Sequence, residues 1–134
     1  MRSRYLGAAW EAAKVRGTPY NTGEGLRMAL EAGAEPCGDW GGCHSIARDL
    51  AALPTGERGL TNLYSKQFYP IGVGVNAEGR RFLDARADYR NYTYAKYGAE
   101  ILRQPGGVAF QLFDAKTEPL LRQNEYSAPG VSCY

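Results

Sequence analysis

The stretch from Asn76 to Gly98, which reads NAEGRRFLDARADYRNYTYAKYG, decides how this chain is organised. Asn opens turns through its side chain and Gly accepts a positive φ, so residues 76–79 predict a tight turn. Before the turn, apolar residues alternate with glycines over 71–75, and residues 81–83 after it suit a β-strand. The pattern therefore predicts a β-hairpin between Ile71 and Leu83.

A helix is predicted directly after the hairpin and its loop. Asp88 is a natural N-cap, and helical spacing continues from Tyr89 to Arg103. In the N-terminal half, the patterns predict a helix from Arg4 to Lys14, a helix capped by Thr22 that stops at Gly33, and a loop from Leu50 to Pro70. In the C-terminal part, they predict a strand from Val108 to Phe113. A last helix, capped by Asp114, is predicted to run to about Gln123 and to be limited or kinked by Pro119. Together they predict an α+β fold in which three or four helices pack about a small mixed or antiparallel sheet.

Composition indicates one globular domain. The 134 residues are 44% hydrophobic and 22% charged, which is near the average for folded proteins. A net charge of +2 is too small to indicate nucleic acid as the partner. No apolar run approaches the roughly 20 residues that span a bilayer, and no secretory signal follows the basic start. We therefore expect a cytoplasmic protein with no membrane partner.

The cysteines do not indicate a disulfide framework or a metal site. There are three of them, an odd number. Cys37, Cys43 and His44 lack the second pair of ligands that a zinc site needs. We therefore predict no metal.

The central stretch resembles a known family. The pattern Asn-x-x-Gly-Arg-Arg-Phe-x-Asp at 76–84 closely resembles the segment that leads into the active-site loop of the fumarate reductase and succinate dehydrogenase flavoproteins. The run at 90–98 is most similar to their FAD-dependent tricarballylate dehydrogenase relatives, and the resemblance extends over about 15–126. It implies the capping, substrate-side domain of an enzyme that exchanges hydride between FAD and a small di- or tricarboxylate such as tricarballylate, fumarate or succinate.

The resemblance also implies two catalytic residues. His44 corresponds in position to a family histidine that binds a substrate carboxylate, although its neighbours differ. Arg90 corresponds to the arginine that handles the proton at the adjacent carbon, with Arg86 as the alternative because the spacing from Phe82 is one residue longer. Without the family, a lone His is more often structural, and an Arg in a first helical turn more often lies along aromatic surface.

Cofactor contact is implied for a second turn. Thr22, Gly23 and Glu24 match a Thr-Gly-Asp-Gly motif that lies against FAD in the family, with Glu24 one methylene longer than the usual Asp. Two family features are missing. Ala85 stands where a Glu is usual. The Thr-Glu and the basic residue expected before the hairpin are absent, and Lys66 is considered as a substitute for them.

The sequence contains no Gly-x-Gly-x-x-Gly fingerprint between a strand and a helix. We therefore expect residues 1–134 to be a single capping domain, a fragment of a longer enzyme whose FAD-binding domain is its partner and holds most of the FAD. The chain alone is expected to be inactive, and its exposed apolar surface to permit self-association. Two alternatives stay open: a stand-alone structural or interaction domain without flavin, and, less favoured by the charge balance, a single-stranded nucleic-acid module built on Tyr89, Tyr92, Tyr94, Tyr97, Arg86, Arg90 and Lys96.

Overall fold

The computed structural model describes residues 2–56 and 64–126. In these ranges the chain is a small mixed α/β protein, in agreement with the predicted α+β class in general terms. Its elements in chain order are α1 (Arg2–Leu6), a 3₁₀ turn (Ala8–Ala12), α2 (Glu24–Glu31), a 3₁₀ turn (Tyr69–Ile71), β1 (Val73–Asn76), α3 (Arg90–Leu102), a 3₁₀ turn (Pro105–Gly107), β2 (Ala109–Leu112), a 3₁₀ turn (Glu118–Leu120) and α4 (Gln123–Tyr126). Part of the predicted loop from Leu50 to Pro70 lies outside the described residues.

The tight turn at 76–79 forms as predicted, but the predicted hairpin is wrong in its pairing. The Asn76 side-chain oxygen accepts hydrogen bonds from the amides of Glu78 and Arg80, each at 3.0 Å, and Gly79 has φ 74°. After the turn, the two arms share an isolated bridge between Val75 and Arg81 rather than a regular ladder. The regular partner of β1 is instead β2, which pairs antiparallel with it from far along the chain.

The arm after the turn leaves the sheet because its next side chains enter the core. Leu83 is buried and packs over Gly74, where an added Cβ would lie 2.7 Å from Leu83 Cδ1. Tyr69 and Tyr97 complete this core, and their rings meet edge to face with centroids 4.5 Å apart. The core is therefore aromatic and small, and α3 supplies one of its three buried members.

The predicted helix from Arg4 to Lys14 is wrong. Gly7 has φ 92°, which no right-handed helix accommodates, and it divides the segment into α1 and a 3₁₀ turn. Ala13 is already extended, with φ −68° and ψ 127°. The apolar residues do recur at helical spacing, but a glycine inside the run ends the helix.

For α2, the predicted N-cap at Thr22 is wrong and the predicted C-terminal stop at Gly33 is confirmed. Gly23, with φ 102°, is the N-cap, and the Thr22 hydroxyl bonds to the Glu24 carboxylate rather than to a helix amide. At the other end, Gly33 has φ 91°, and the amide of Ala34 donates to the carbonyl of Ala29 at 3.0 Å. This is the Schellman arrangement expected of a glycine stop.

Helix α3 confirms the predicted helix to within a residue at each end, yet Asp88 is not its cap. Tyr89 occupies the N-cap position without a side-chain cap bond. The Asp88 carboxylate accepts from the immediately following amide, that of Tyr89, at 2.6 Å, so it does not reach the first-turn amides of the helix. The buried stripe of α3 consists of Thr93, Tyr97 and Gly98.

The C-terminal part confirms the strand and corrects the last helix. β2 falls inside the predicted range 108–113. Asp114 caps a turn, accepting from the amides of Lys116 at 3.0 Å and Thr117 at 2.8 Å, and the chain then forms a 3₁₀ turn and the short α4 instead of one helix. Pro119, in the first positions of that 3₁₀ turn, lacks the amide that a longer helix needs.

One face of the sheet carries apolar side chains that remain exposed. Val73 is 43% exposed, Phe110 52% and Leu112 55%, and Val73 pairs directly with Leu112 across the strands.

Among the described residues, no helix is both long and apolar enough to cross a membrane.

Candidate functional site

The segment from Cys43 to Asp49 lies against α3 because a helical glycine lets it approach. A Cβ on Gly98 would overlap the carbonyl group of Ser45 and lie 2.6 Å from the Ile46 amide nitrogen, so this contact needs a residue without a side chain. The Ser45 hydroxyl donates to the α3 carbonyl of Ala95 at 3.0 Å. On its other side the segment bonds to residues 64–66, with the Asp49 amide donating to the Tyr64 carbonyl at 2.7 Å and the Lys66 amide to the Ala47 carbonyl at 2.9 Å.

This packing places His44 beside α3. Its Nε2 lies 2.9 Å from the hydroxyl of Tyr94, and the two rings meet edge to face with centroids 5.0 Å apart. Tyr94 in turn packs on the buried core. The hydrogen bond and the ring contact together fix the orientation of an otherwise exposed imidazole.

His44 and Tyr94 line an open depression of about 360 Å³. The other lining residues are Arg16, Ile46, Gln67 and Asn91. Arginine offers only hydrogen-bond donors, and amide, hydroxyl and imidazole groups can also donate. Among the described residues, no carboxylate belongs to this lining set, so its amide, hydroxyl and imidazole groups are the hydrogen-bond donors closest to a ligand in the depression. A carboxylate is the complementary group.

Arg90 directly precedes Asn91, which lines the depression, but Arg90 itself is not a lining residue. Its neighbour Asn91 faces the depression, whereas the Arg90 guanidinium carbon lies 6.0 Å above the centre of the Phe68 ring. The Arg90 carbonyl accepts a hydrogen bond from Tyr69 at 3.1 Å, which ties this first turn of α3 to the core. The structure thus brings His44 together with Tyr94 and Arg16, and leaves Arg90 on aromatic surface.

The other two basic residues that the sequence singles out lie elsewhere. Arg86 is exposed on the loop before α3. Lys66 is largely buried: its ammonium lies 3.5 Å from Asp49 Oδ2, bonds to the Glu125 carbonyl, and sits 4.7 Å from the centre of the Tyr126 ring. These contacts hold α4 against the body of the domain, so Lys66 serves the fold.

Thr22, Gly23 and Glu24 form an exposed turn outside the lining of the depression. The Glu24 carboxylate accepts from the Thr22 hydroxyl and from the Thr22 amide, the latter at 3.2 Å, and the hydroxyl bond is the main cause of a lowered pKa for Glu24. Both Thr22 donors are therefore satisfied within the turn. A cofactor at this turn would be met by the first backbone amides of α2, which have no acceptor inside the helix.

The four tyrosines near α3 do not form one stacking surface. Tyr97 is buried, and burial raises the pKa of its phenol. Tyr94 is engaged with His44, whereas Tyr89 and Tyr92 are well exposed, at 64% and 78%. A row of exposed aromatic rings is what single-stranded nucleic acid requires.

Sequence reasoning missed Arg16, Gln67 and Asn91. They come from three separate segments, and no local pattern connects them. From the sequence, Tyr94 is one of four tyrosines in or next to the predicted helix. Its place one helical turn after Arg90 is the sole signal that it could reach a residue beside the first turn of α3.

Comparison with known proteins finds no matching family, no similar curated protein and no similar solved structure. The resemblance to the fumarate reductase flavoproteins therefore stays a prediction from the motif residues at 76–84 and 90–98.

If the depression binds a carboxylate, removing the hydroxyl of Tyr94 is expected to weaken that binding. Tyr94→Phe keeps the ring on the core but frees the imidazole, so the apparent Kd for a carboxylate should rise about three- to tenfold with a small change in stability. Isothermal titration with tricarballylate measures this. Tyr92→Phe, which alters an exposed ring on the same helix, is the control. Equal Kd values for wild type and Tyr94→Phe would show that the hydrogen bond does not organise the site.

Proposed function

We propose that this chain is the substrate-side domain of an FAD-dependent oxidoreductase that acts on a small di- or tricarboxylate such as tricarballylate, fumarate or succinate. The single observation that carries the proposal is the donor-lined depression in which the Tyr94 hydroxyl holds His44. This arrangement suits a carboxylate, and it occurs at the position where the motif resemblance expects one. The alternative is a stand-alone structural domain without flavin, which would not require this set of donors.

The chain's own residues would bind and orient the substrate. His44 would donate a hydrogen bond to one carboxylate, and Gln67 and Asn91 would supply further donors from the walls of the depression. FAD, when bound, would supply the hydride chemistry, and a partner domain would hold most of it. The exposed apolar side chains Val73 and Leu112 suit contact with such a domain.

Arg90 is proposed to handle the proton at the carbon next to the one that exchanges hydride. Its guanidinium would have to leave the Phe68 ring and turn toward the depression that Asn91 lines. Arginine stays protonated at ordinary pH, so a neighbouring group must restore its proton after each transfer. The proposal therefore assigns to Arg90 a side-chain movement as well as a chemical role.

A titration of the chain with tricarballylate, at constant ionic strength, tests the carboxylate site. We expect saturable binding that raises the melting temperature, and at least about a tenfold weaker Kd in His44→Ala, because the hydrogen bond that the imidazole donates to the charged carboxylate is lost. A parallel titration with FAD tests separately whether this chain binds the cofactor without a partner domain. Absence of any tricarballylate binding by wild type would contradict the substrate assignment, and tight FAD binding by the isolated chain would contradict the need for a partner domain.

A further inference from the structure

The backbone of β1 shows which of its groups face β2. The Asn76 amide donates to the Arg80 carbonyl at 2.9 Å, and the Asn76 carbonyl accepts from the Gly79 amide at 3.0 Å. Both backbone groups of Asn76 therefore point into the turn, away from β2. Since these groups alternate in direction along a strand, the hydrogen bonds from β1 to β2 come from Val73 and Val75.

Strand β2 has an outer edge that the described part of the chain leaves open. The register places Leu112 and Phe110 opposite the two valines of β1, so the backbone groups of these two residues bond to β1. The backbone groups of Ala109 and Gln111 point the other way. Among the described residues, β2 pairs with no second strand, and no backbone hydrogen bond engages these outward groups. The edge thus offers a donor and an acceptor at each of two alternate residues.

This edge also lacks the features that keep open edges apart. Proteins protect them with charged side chains, prolines or bulges. β2 reads Ala-Phe-Gln-Leu, without charge or proline, and its register with β1 is continuous. The Gln111 side chain fixes the strand in place, since it donates to the Lys66 carbonyl at 2.9 Å and accepts from the Tyr126 hydroxyl at 2.8 Å. A fixed, uncharged edge with unused donors and acceptors is a template for another strand.

The edge of β2 is complementary to itself. If two copies pair antiparallel about a two-fold axis at Phe110, Ala109 of one copy lies opposite Gln111 of the partner subunit, and the reverse. Both residues carry outward groups, so each pair exchanges two hydrogen bonds. The two Phe110 residues then form the pair between them, with Cα atoms about 4.5 Å apart, and their rings, each 52% exposed in the single chain, come into contact. Because the strand is uncharged, no like charges meet within the pairing.

We infer that the outer edge of β2 binds a second copy of this chain, which joins the two sheets into one continuous antiparallel sheet. The inference goes beyond the proposed function, because it requires neither a carboxylate nor flavin. It is also compatible with a partner domain on the apolar face of the sheet, since Val73 and Leu112 point out of the plane in which the two copies pair.

Ala109→Pro tests the edge pairing through sedimentation velocity over a series of protein concentrations. Wild type should form a dimer as its concentration rises. The proline removes an outward amide without removing a bond to β1, and the preceding residue, Val108, is already extended, with φ −120° and ψ 143°. By symmetry two hydrogen bonds are lost, so the dissociation constant of the dimer should rise about tenfold or more. Val73→Thr, which changes the apolar face but not the edge, should dimerise like wild type.

A cross-link tests the register and does not depend on the proline variant. In a chain whose native cysteines Cys37, Cys43 and Cys133 are replaced by Ser, Phe110→Cys should form a disulfide-linked dimer under mild oxidation. A Cα separation of about 4.5 Å lies within the range that a disulfide spans. Val73→Cys in the same background is exposed on the same face but lies away from the axis, so it should stay monomeric on a non-reducing gel.

Three outcomes would overturn the inference. The first is a wild-type chain that stays monomeric up to about 1 mM. The second is a dimer that Val73→Thr disrupts and Ala109→Pro leaves intact, which would place the contact on the apolar face. The third is equal cross-linking of Phe110→Cys and Val73→Cys. Ala109→Pro should bind tricarballylate as wild type does, so failure of the carboxylate site and failure of the dimer are separate results.

Discussion

Gly98→Ala is expected to lower the free energy of unfolding by about 3 kcal/mol, because the added methyl group has no space to enter. Its Cβ would overlap the Ser45 carbonyl group and stand 2.6 Å from the Ile46 amide nitrogen. Both neighbours are backbone groups, so no side-chain rotation relieves the clash. Either α3 or the segment that carries His44 must move, and urea denaturation measures the cost.

The matched control for this substitution is Gly25→Ala. Gly25 also lies in a helix, α2, but a Cβ there meets nothing within 4 Å. Alanine is the better helix former, so this variant should be unchanged or more stable by up to about 1 kcal/mol. The comparison separates the steric effect of a methyl group from its effect on helix propensity. Equal stabilities for the two variants would mean that the close approach at Ser45 is not maintained in solution.

Tyr97→Ala is expected to have the largest effect, a loss of about 3–5 kcal/mol, because it removes an aromatic ring from a core with few members. Tyr97 is 4% exposed and packs edge to face on Tyr69, and its hydroxyl donates to the Asp84 carbonyl. Small domains have only about 5–15 kcal/mol in total, so this variant approaches the limit of folding. Circular dichroism at low temperature would show whether it still folds.

Tyr97→Phe isolates the contribution of the hydroxyl. It leaves the ring in place and removes one hydrogen bond, so a loss of about 1 kcal/mol is expected. If the phenylalanine variant lost as much stability as the alanine variant, the bond to Asp84 would be the main contribution and the ring packing would be secondary.

Local chemistry accounts for what the sequence predicted correctly. The turn at Asn76 and the stop at Gly33 each depend on one or two residues with unusual backbone preferences, so a short pattern is enough. Helix α3 was also predictable because its thirteen residues contain no proline and keep helical spacing, so Gly98 alone does not end the helix. The same local reasoning overlooked Gly7, where one residue with positive φ outweighed the helical spacing around it.

Contacts between distant segments account for what the sequence did not predict. The partner of β1 comes after α3, and nothing in residues 80–83 indicates that Leu83 prefers the core to the sheet. For the site, the resemblance indicated His44. Tyr94, Arg16 and Gln67 are distant from His44 in sequence, and only the folded chain brings them to the same depression. The close packing of Ser45 on Gly98 positions the segment that carries His44, and this packing requires a residue without a side chain at position 98.

Helix α3 contributes Tyr97 to the core and Tyr94 and Asn91 to the depression, within two turns. A ligand in the depression would contact the same helix that supplies Tyr97 to the core. Because the ligand would bind only the folded chain, ligand binding and the free energy of unfolding would be thermodynamically linked. Natural selection acting on binding alone would consequently preserve the interior as well. Substitutions at these positions of α3 would then change both properties together.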